Sequence, residues 1–96
     1  MSLYYVHHKH SEETCPAKDP AMGSMLLTHI SPDNAKKFGI NIKSDAVLDN
    51  KHTFVLIMEA QNTDQIDQFM QPFKQAGPVE ILPASTCEVV VNREGC

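Results

Sequence analysis

The chain has no run of basic residues, no apolar stretch approaching a membrane span, no CxxC pair, and no internal repeat or low-complexity segment. Each absence removes a class. Eight Lys plus Arg against twelve Asp plus Glu leave a formal charge of −4 with neither sign gathered into a block, so the electrostatic footprint of a nucleic-acid binder is missing. The opening MSLYYVHHKH lacks a basic segment followed by an apolar core and a small-residue cleavage site. A soluble, cytoplasmic protein with neither nucleic acid nor membrane among its partners is therefore expected. Cys15, Cys87 and Cys96 are an odd number of cysteines, which argues against a disulfide framework and fits a reducing compartment with at least one free thiol. No nucleophile–base or acid–base pair stands in local register. The 96 residues are enough for one domain, 1–96, around one hydrophobic core.

What is present is organised around Leu3 to Pro16, LYYVHHKHSEETCP, an apolar strand running into histidines and then a cysteine. Alternation along this strand places Tyr4, Val6, His8 and His10 on one face and Leu3, Tyr5, His7 and Lys9 on the other. Ser11 to Lys18 reads as a loop. Asp19-Pro20, a capping residue followed by proline at the first helical position, then opens a helix. Met22, Met25, Leu26, His29 and Ile30 recur at helical spacing, predicting a methionine-rich stripe against the sheet. Ser31-Pro32-Asp33 restarts the helix as a second short piece, and Gly39 stops it.

Ile40 to Val47 and His52 to Ala60 predict two strands of a hairpin around Asp49-Asn50. The second, HTFVLIMEA, is apolar on both faces, with Phe54, Leu56 and Met58 on one side and Val55 and Ile57 on the other. Helices can cover only one of these, so a second subunit is expected on the other, and the protein is read as a homodimer. Asn62-Thr63-Asp64 caps a helix with Ile66, Phe69, Met70 and Phe73 as its stripe, strained by Pro72 and ended by Gly77-Pro78. Val79 to Leu82 begins a last strand, broken at Pro83-Ala84-Ser85, and Cys87 to Val91 is expected to resume it with Cys87 in the core.

The fold class is thus α+β: a ferredoxin-like split β-α-β plan, β-α-β-β-α-β, with a four-stranded antiparallel sheet and two helices on one face. This order, the length, the two-sided third strand and the broken last strand resemble the dimeric α+β barrel superfamily. The segments HHKHSEETCPA, HISPDNAKKFGI, FMQPFKQAG and VEILPAS are similar to a small uncharacterised family within it. The resemblance spans nearly the whole chain and implies a fold and dimerisation. It implies no reaction, because superfamily members range from monooxygenases and isomerases to haem-handling and binding domains.

In that plan the strands lie in the order four, one, three, two, so the exit of strand one neighbours the start of strand three. His8 and His10 are thereby brought toward His52, and the loop bearing Cys15 leaves from the same edge. Two residues along a strand separate His8 and His10 by roughly 6 to 7 Å, a spacing at which imidazoles chelate one ion. His8, His10 and His52 with Cys15 as fourth ligand would suit Zn or Cu, since borderline and soft ions favour nitrogen and sulfur; Met22 or Met25 would add a thioether favouring copper.

Three other readings use the same residues. A pocket between sheet and helix would make the domain a small-molecule enzyme, monooxygenase- or isomerase-like, with His8 or His10 as acid or base and Tyr4 or Tyr5 donating a hydrogen bond. Cys15, ahead of a helix N-terminus, would suit a redox-sensing thiol. The blandest makes the histidines strand-end, loop and turn residues and Cys15 a small buried hydrophobe of a regulatory or structural domain without chemistry.

Overall fold

The computed structural model describes residues Met1–Cys96. Strand β1 (Ser2–Lys9) leads through a 3-10 turn (Pro16–Lys18) to helices α1 (Pro20–His29) and α2 (Pro32–Lys37). Strands β2 (Asn41–Leu48) and β3 (Thr53–Ala60) follow, then α3 (Thr63–Phe69), α4 (Gln71–Lys74), β4 (Val79–Ala84) and α5 (Cys87–Asn92). The four strands form one antiparallel sheet in the order β2-β3-β1-β4. No helix is long and apolar enough to cross a membrane.

Side-chain caps explain where the helices start. Asp19 accepts from the amide of Ala21 ahead of Pro20, Ser31 from Asn34 ahead of Pro32, and Asn62 from Gln65. Each cap satisfies an amide that the first turn leaves without an intrahelical partner. Gly39 ends α2 at φ 74, a conformation that glycine adopts without a steric penalty. α3 and α4 are separate pieces because Pro72, which has no amide hydrogen, stands two residues after Met70.

The alternation of β1 and β3 divides the sheet into two unlike faces. Tyr4, Val6 and His8 are buried on one face, where they meet Met58, Leu56 and Phe54 across the strand pair. Ala35, Ile66, Phe69 and Phe73 from the helices close this core, with Leu26 and Ile30 packed at its margin. Burying each such side chain contributes on the order of 1.5–3 kcal/mol, so this one face carries most of the folding free energy. The opposite face carries Leu3, Tyr5, Val55 and Ile57, all half-buried, and an exposed Leu82.

Three expectations need correction. Cys87 to Val91 is not strand but helix α5: the Thr86 side chain accepts from the Val89 amide, and Glu88 lies in the first turn. That cap outweighs the weak β preference of three valines, which have no neighbouring strand to pack against, so Cys87 is exposed rather than core. β4 itself continues through Pro83, which pairs opposite Tyr4, because an edge strand tolerates a residue with no amide to donate. The methionine stripe of α1 does not pack: Met22 and Met25 are exposed, and only Leu26, His29 and Ile30 turn partly inward. The first helical region is two helices, as its second cap predicts, while the second also divides, into α3 and α4, and α5 is added after β4.

Candidate metal centre

The exit of β1 and the entry of β3 are fixed to one another by the sheet register, in which His8 lies opposite Phe54 and Lys9 opposite Thr53. One residue further, the amide of His10 donates to the carbonyl of His52 at 3.0 Å. On the other side of β1, the Lys9 amide donates to the Pro78 carbonyl at 3.2 Å. Gly77 makes that approach possible, because a Cβ there would stand 1.9 Å from the Lys9 carbonyl oxygen. The strand exit is thus clamped from both sides.

From this exit the chain turns back on itself. The Thr14 amide donates to the Ser11 carbonyl at 3.2 Å, and the Thr14 hydroxyl reaches the Ala76 carbonyl at 3.4 Å. Cys15 follows directly and is free and half-buried. It precedes only the three-residue turn Pro16–Lys18, which is too short to supply the helix field expected at this position. Opposite, His52 closes the Asp49–His52 turn with φ 47, where a residue bearing a Cβ is strained by about 1 kcal/mol or more.

The consequence is a convergence of donors. The ligand atoms of His10, Cys15 and His52 all lie within 4.8 Å of one another, forming a group that could hold a metal ion. Donors around one zinc ion stand roughly 3.3–3.8 Å apart, as follows from metal–nitrogen and metal–sulfur distances of about 2.1 and 2.3 Å. Small side-chain rotations close that difference. Neither ring nitrogen of His10 has a hydrogen-bond partner, although the residue is buried. A buried polar atom left unpaired costs about 1–3 kcal/mol, so two on one ring need a compensating interaction.

His8 stands beside this group but outside it. Its ring stacks on that of His10 with centroids 5.4 Å apart, and its edge meets Phe73. Its Nε2 is buried and unpartnered. Burial holds the His8 pKa below its ordinary value, the neighbouring His10 adds to this, and a backbone hydrogen bond with Phe73 acts the other way. Burial, and then the charge of His52, also lower the pKa of His10. Both rings therefore favour the neutral form, the one that ligates metals.

The remaining histidines are differently placed. His7 projects from the opposite face of the sheet and pairs with Glu80 at 3.2 Å. His29 has both nitrogens engaged: the Phe69 carbonyl can only accept, so Nε2 donates to it at 2.8 Å, and Nδ1 faces the Asn34 amide nitrogen at 3.4 Å. The contrast is specific, since the buried nitrogens without a partner are those of His8 and His10 at the strand exit.

Two cavities reach these residues. One of about 200 Å³ is lined by His8, His10, Cys15 and His52 together with Leu26 and Phe73. Another, of about 230 Å³, lies on the α1 side and includes His8, Met22, Met25 and His29. The methionines thus face the second cavity, not the one shared by the three converging donors. Neither Tyr4 nor Tyr5 lines either, which removes the hydrogen-bond donor expected of an acid–base pair with His8. The largest concavity, about 750 Å³, lies between α2 and β2 and contains no histidine or cysteine. It is the largest space but has none of the chemistry.

The sequence alone gave no sign of Asp49 and Asn50 as cavity walls or of Phe73 beneath His8. Both follow from long-range packing. No protein-family model, curated protein or solved structure matches the chain.

Proposed function

We propose that the protein is a small transition-metal-binding domain in which His10, Cys15 and His52 hold a zinc or copper ion at the exit of the first strand. The observation that carries this reading is the buried His10 ring, unpaired at both nitrogens and facing a thiol and a second imidazole. Two imidazoles and a thiolate suit borderline and soft ions, and an ion would supply the interaction that the His10 ring lacks. His8, the further ligand anticipated from spacing, shares the cavity at one remove.

The sheet order is compatible with a ferredoxin-like domain, and we propose that two copies pair through the face bearing Leu3, Tyr5, Val55, Ile57 and Leu82, as in a dimeric α+β barrel. Three free thiols support a reducing compartment. The reading as a small-molecule enzyme has less support, since each cavity reaching His8 is smaller than the roughly 300 Å³ typical of ligand pockets.

Metal analysis of protein purified without a polyhistidine tag tests the proposal. Close to one equivalent of zinc or copper per chain is expected, together with a rise in Tm on metal addition. Substoichiometric metal with no thermal shift for any first-row ion would sink it.

A further inference from the structure

The three converging donors leave a divalent ion one ligand short. Structural zinc sites are closed by four protein ligands, whereas three protein ligands with an open position mark sites that bind an exogenous molecule. Asp49 lines the same cavity yet is not part of the donor group, and neither is His8. The cavity that these donors share is lined largely by apolar side chains, among them Leu26, Val47, Leu48, Phe54 and Phe73. Two neutral imidazoles and one thiolate would also leave a divalent ion with a net charge of +1, and in apolar surroundings that favours an anion as fourth ligand.

A second observation in the same cavity points to the same occupant. His8 is only 2% exposed and its Nε2 is buried without a partner. In the tautomer that carries its hydrogen on Nδ1, Nε2 presents a lone pair and needs a hydrogen to accept. One molecule that binds the ion through a lone pair and donates a hydrogen to Nε2 answers both shortages. Stacking of His8 on His10 puts that acceptor next to a ligand ring.

We infer that the fourth position of a divalent ion is open to the cavity of about 200 Å³ and is taken by a small monodentate ligand of the water, hydroxide or hydrosulfide class, hydrogen-bonded to His8. This rests on the metal reading above. His8 is then a positioning residue for the exogenous ligand, not a ligand of the ion. The cavity admits a few atoms beyond the ion and excludes chelating substrates of larger size. No bond is broken in this step; one coordination bond and one hydrogen bond form.

Cobalt(II), a spectroscopic substitute for zinc, provides the test, with azide as a probe for the open position. Titration of the 96-residue chain should produce visible bands of a four-coordinate ion and a thiolate charge-transfer band, and azide should shift the visible bands saturably. His8→Phe should retain cobalt and its thiolate band while weakening hydrosulfide binding about tenfold, the scale of an outer-shell partner. His8→Gln, which keeps an acceptor, should recover most of that loss, and His8→Leu, which likewise lacks an acceptor, stands in if the phenylalanine variant fails to fold. Wild-type protein whose cobalt spectrum ignores azide would show four protein donors and overturn the inference, and an azide response gained in Asp49→Asn would name Asp49 as the fourth. Loss of cobalt in His8→Phe as complete as in His10→Phe would overturn it by making His8 a ligand. Failure of the wild-type chain to bind cobalt at all would instead remove the metal reading on which it rests.

Discussion

The rings of His10 and His52 meet edge to face with centroids 5.4 Å apart, while the backbone of the first donates to the backbone of the second. Main chain and side chains are thus coupled at one point. The ladder bond fixes the separation of the two residues before any ligand arrives, so little backbone rearrangement remains to be done on binding.

Replacing His10 separates folding from binding. In His10→Phe two buried unpaired nitrogens disappear, so the metal-free protein should be as stable as the wild type or more stable by about 1 kcal/mol. On the proposed metal reading, the same variant should lose the thermal stabilisation expected of the wild type on adding zinc. Denaturant midpoints with and without metal check both halves; a variant clearly less stable in the absence of metal would show that the ring serves packing.

Acid should weaken the metal-free fold. The folded-state pKa values of His8 and His10 lie below their ordinary 6.5, so over the interval beneath 6.5 the unfolded chain binds more protons than the folded one. Stability is full above that value and is lost as pH falls through the interval. Asp67, whose pKa is lowered mainly by its hydrogen bond with Lys74, titrates below its ordinary 3.8 and lies outside it. Urea unfolding from about pH 7.5 to about pH 5 in chelator should show the decline, with a shallower slope in His10→Phe. Identical slopes would place the acid sensitivity elsewhere.

Gly77→Ala should be among the most damaging single changes. The added carbon would meet backbone, the Lys9 carbonyl, which cannot rotate away as a side chain would. A loss of about 3 kcal/mol or more is expected, together with poorer metal binding because the strand exit shifts. Gly23→Ala, where the nearest atom is 3.8 Å away, serves as the tolerant control. Similar stabilities for the two variants would contradict the clamp.

Ile57→Lys tests the second face. Ile57 is outside the buried core, so the variant should fold. A charge in the middle of an apolar interface should turn a dimer into a monomer on sedimentation or light scattering, at unchanged helix content. A wild-type chain already monomeric at micromolar concentration would rule out pairing through this face.

Much of this architecture was legible in residue order. Alternation in β1 and β3, two cap-plus-proline pairs and the hairpin turn fix local structure, and an antiparallel four-stranded plan then brings His10 to His52. The errors fall where local preference has no tertiary support. Val89 to Val91 favour a strand only if a partner strand is there, and with none present the Thr86 cap decides. Met22 and Met25 sit at helical spacing, but α1 rests on the core through Leu26, His29 and Ile30, and spacing cannot report how a helix is rolled. His8 sits at a chelating separation from His10 along the strand, and its ring stacks on that of His10 beside the three converging donors. The Cys15 loop had no periodicity to read, and its placement depends on the Thr14 contact with Ala76.

The left-handed backbone at His52 has a consequence for how this site would be gained or lost. Glycine would occupy φ 47 without strain, and asparagine nearly so, yet the chain has an imidazole there. A single His52→Gly exchange would therefore delete a proposed ligand while relaxing the turn. Ligand loss here meets no resistance from folding, so a chain freed from the need to bind an ion would be expected to drift toward glycine at this position first.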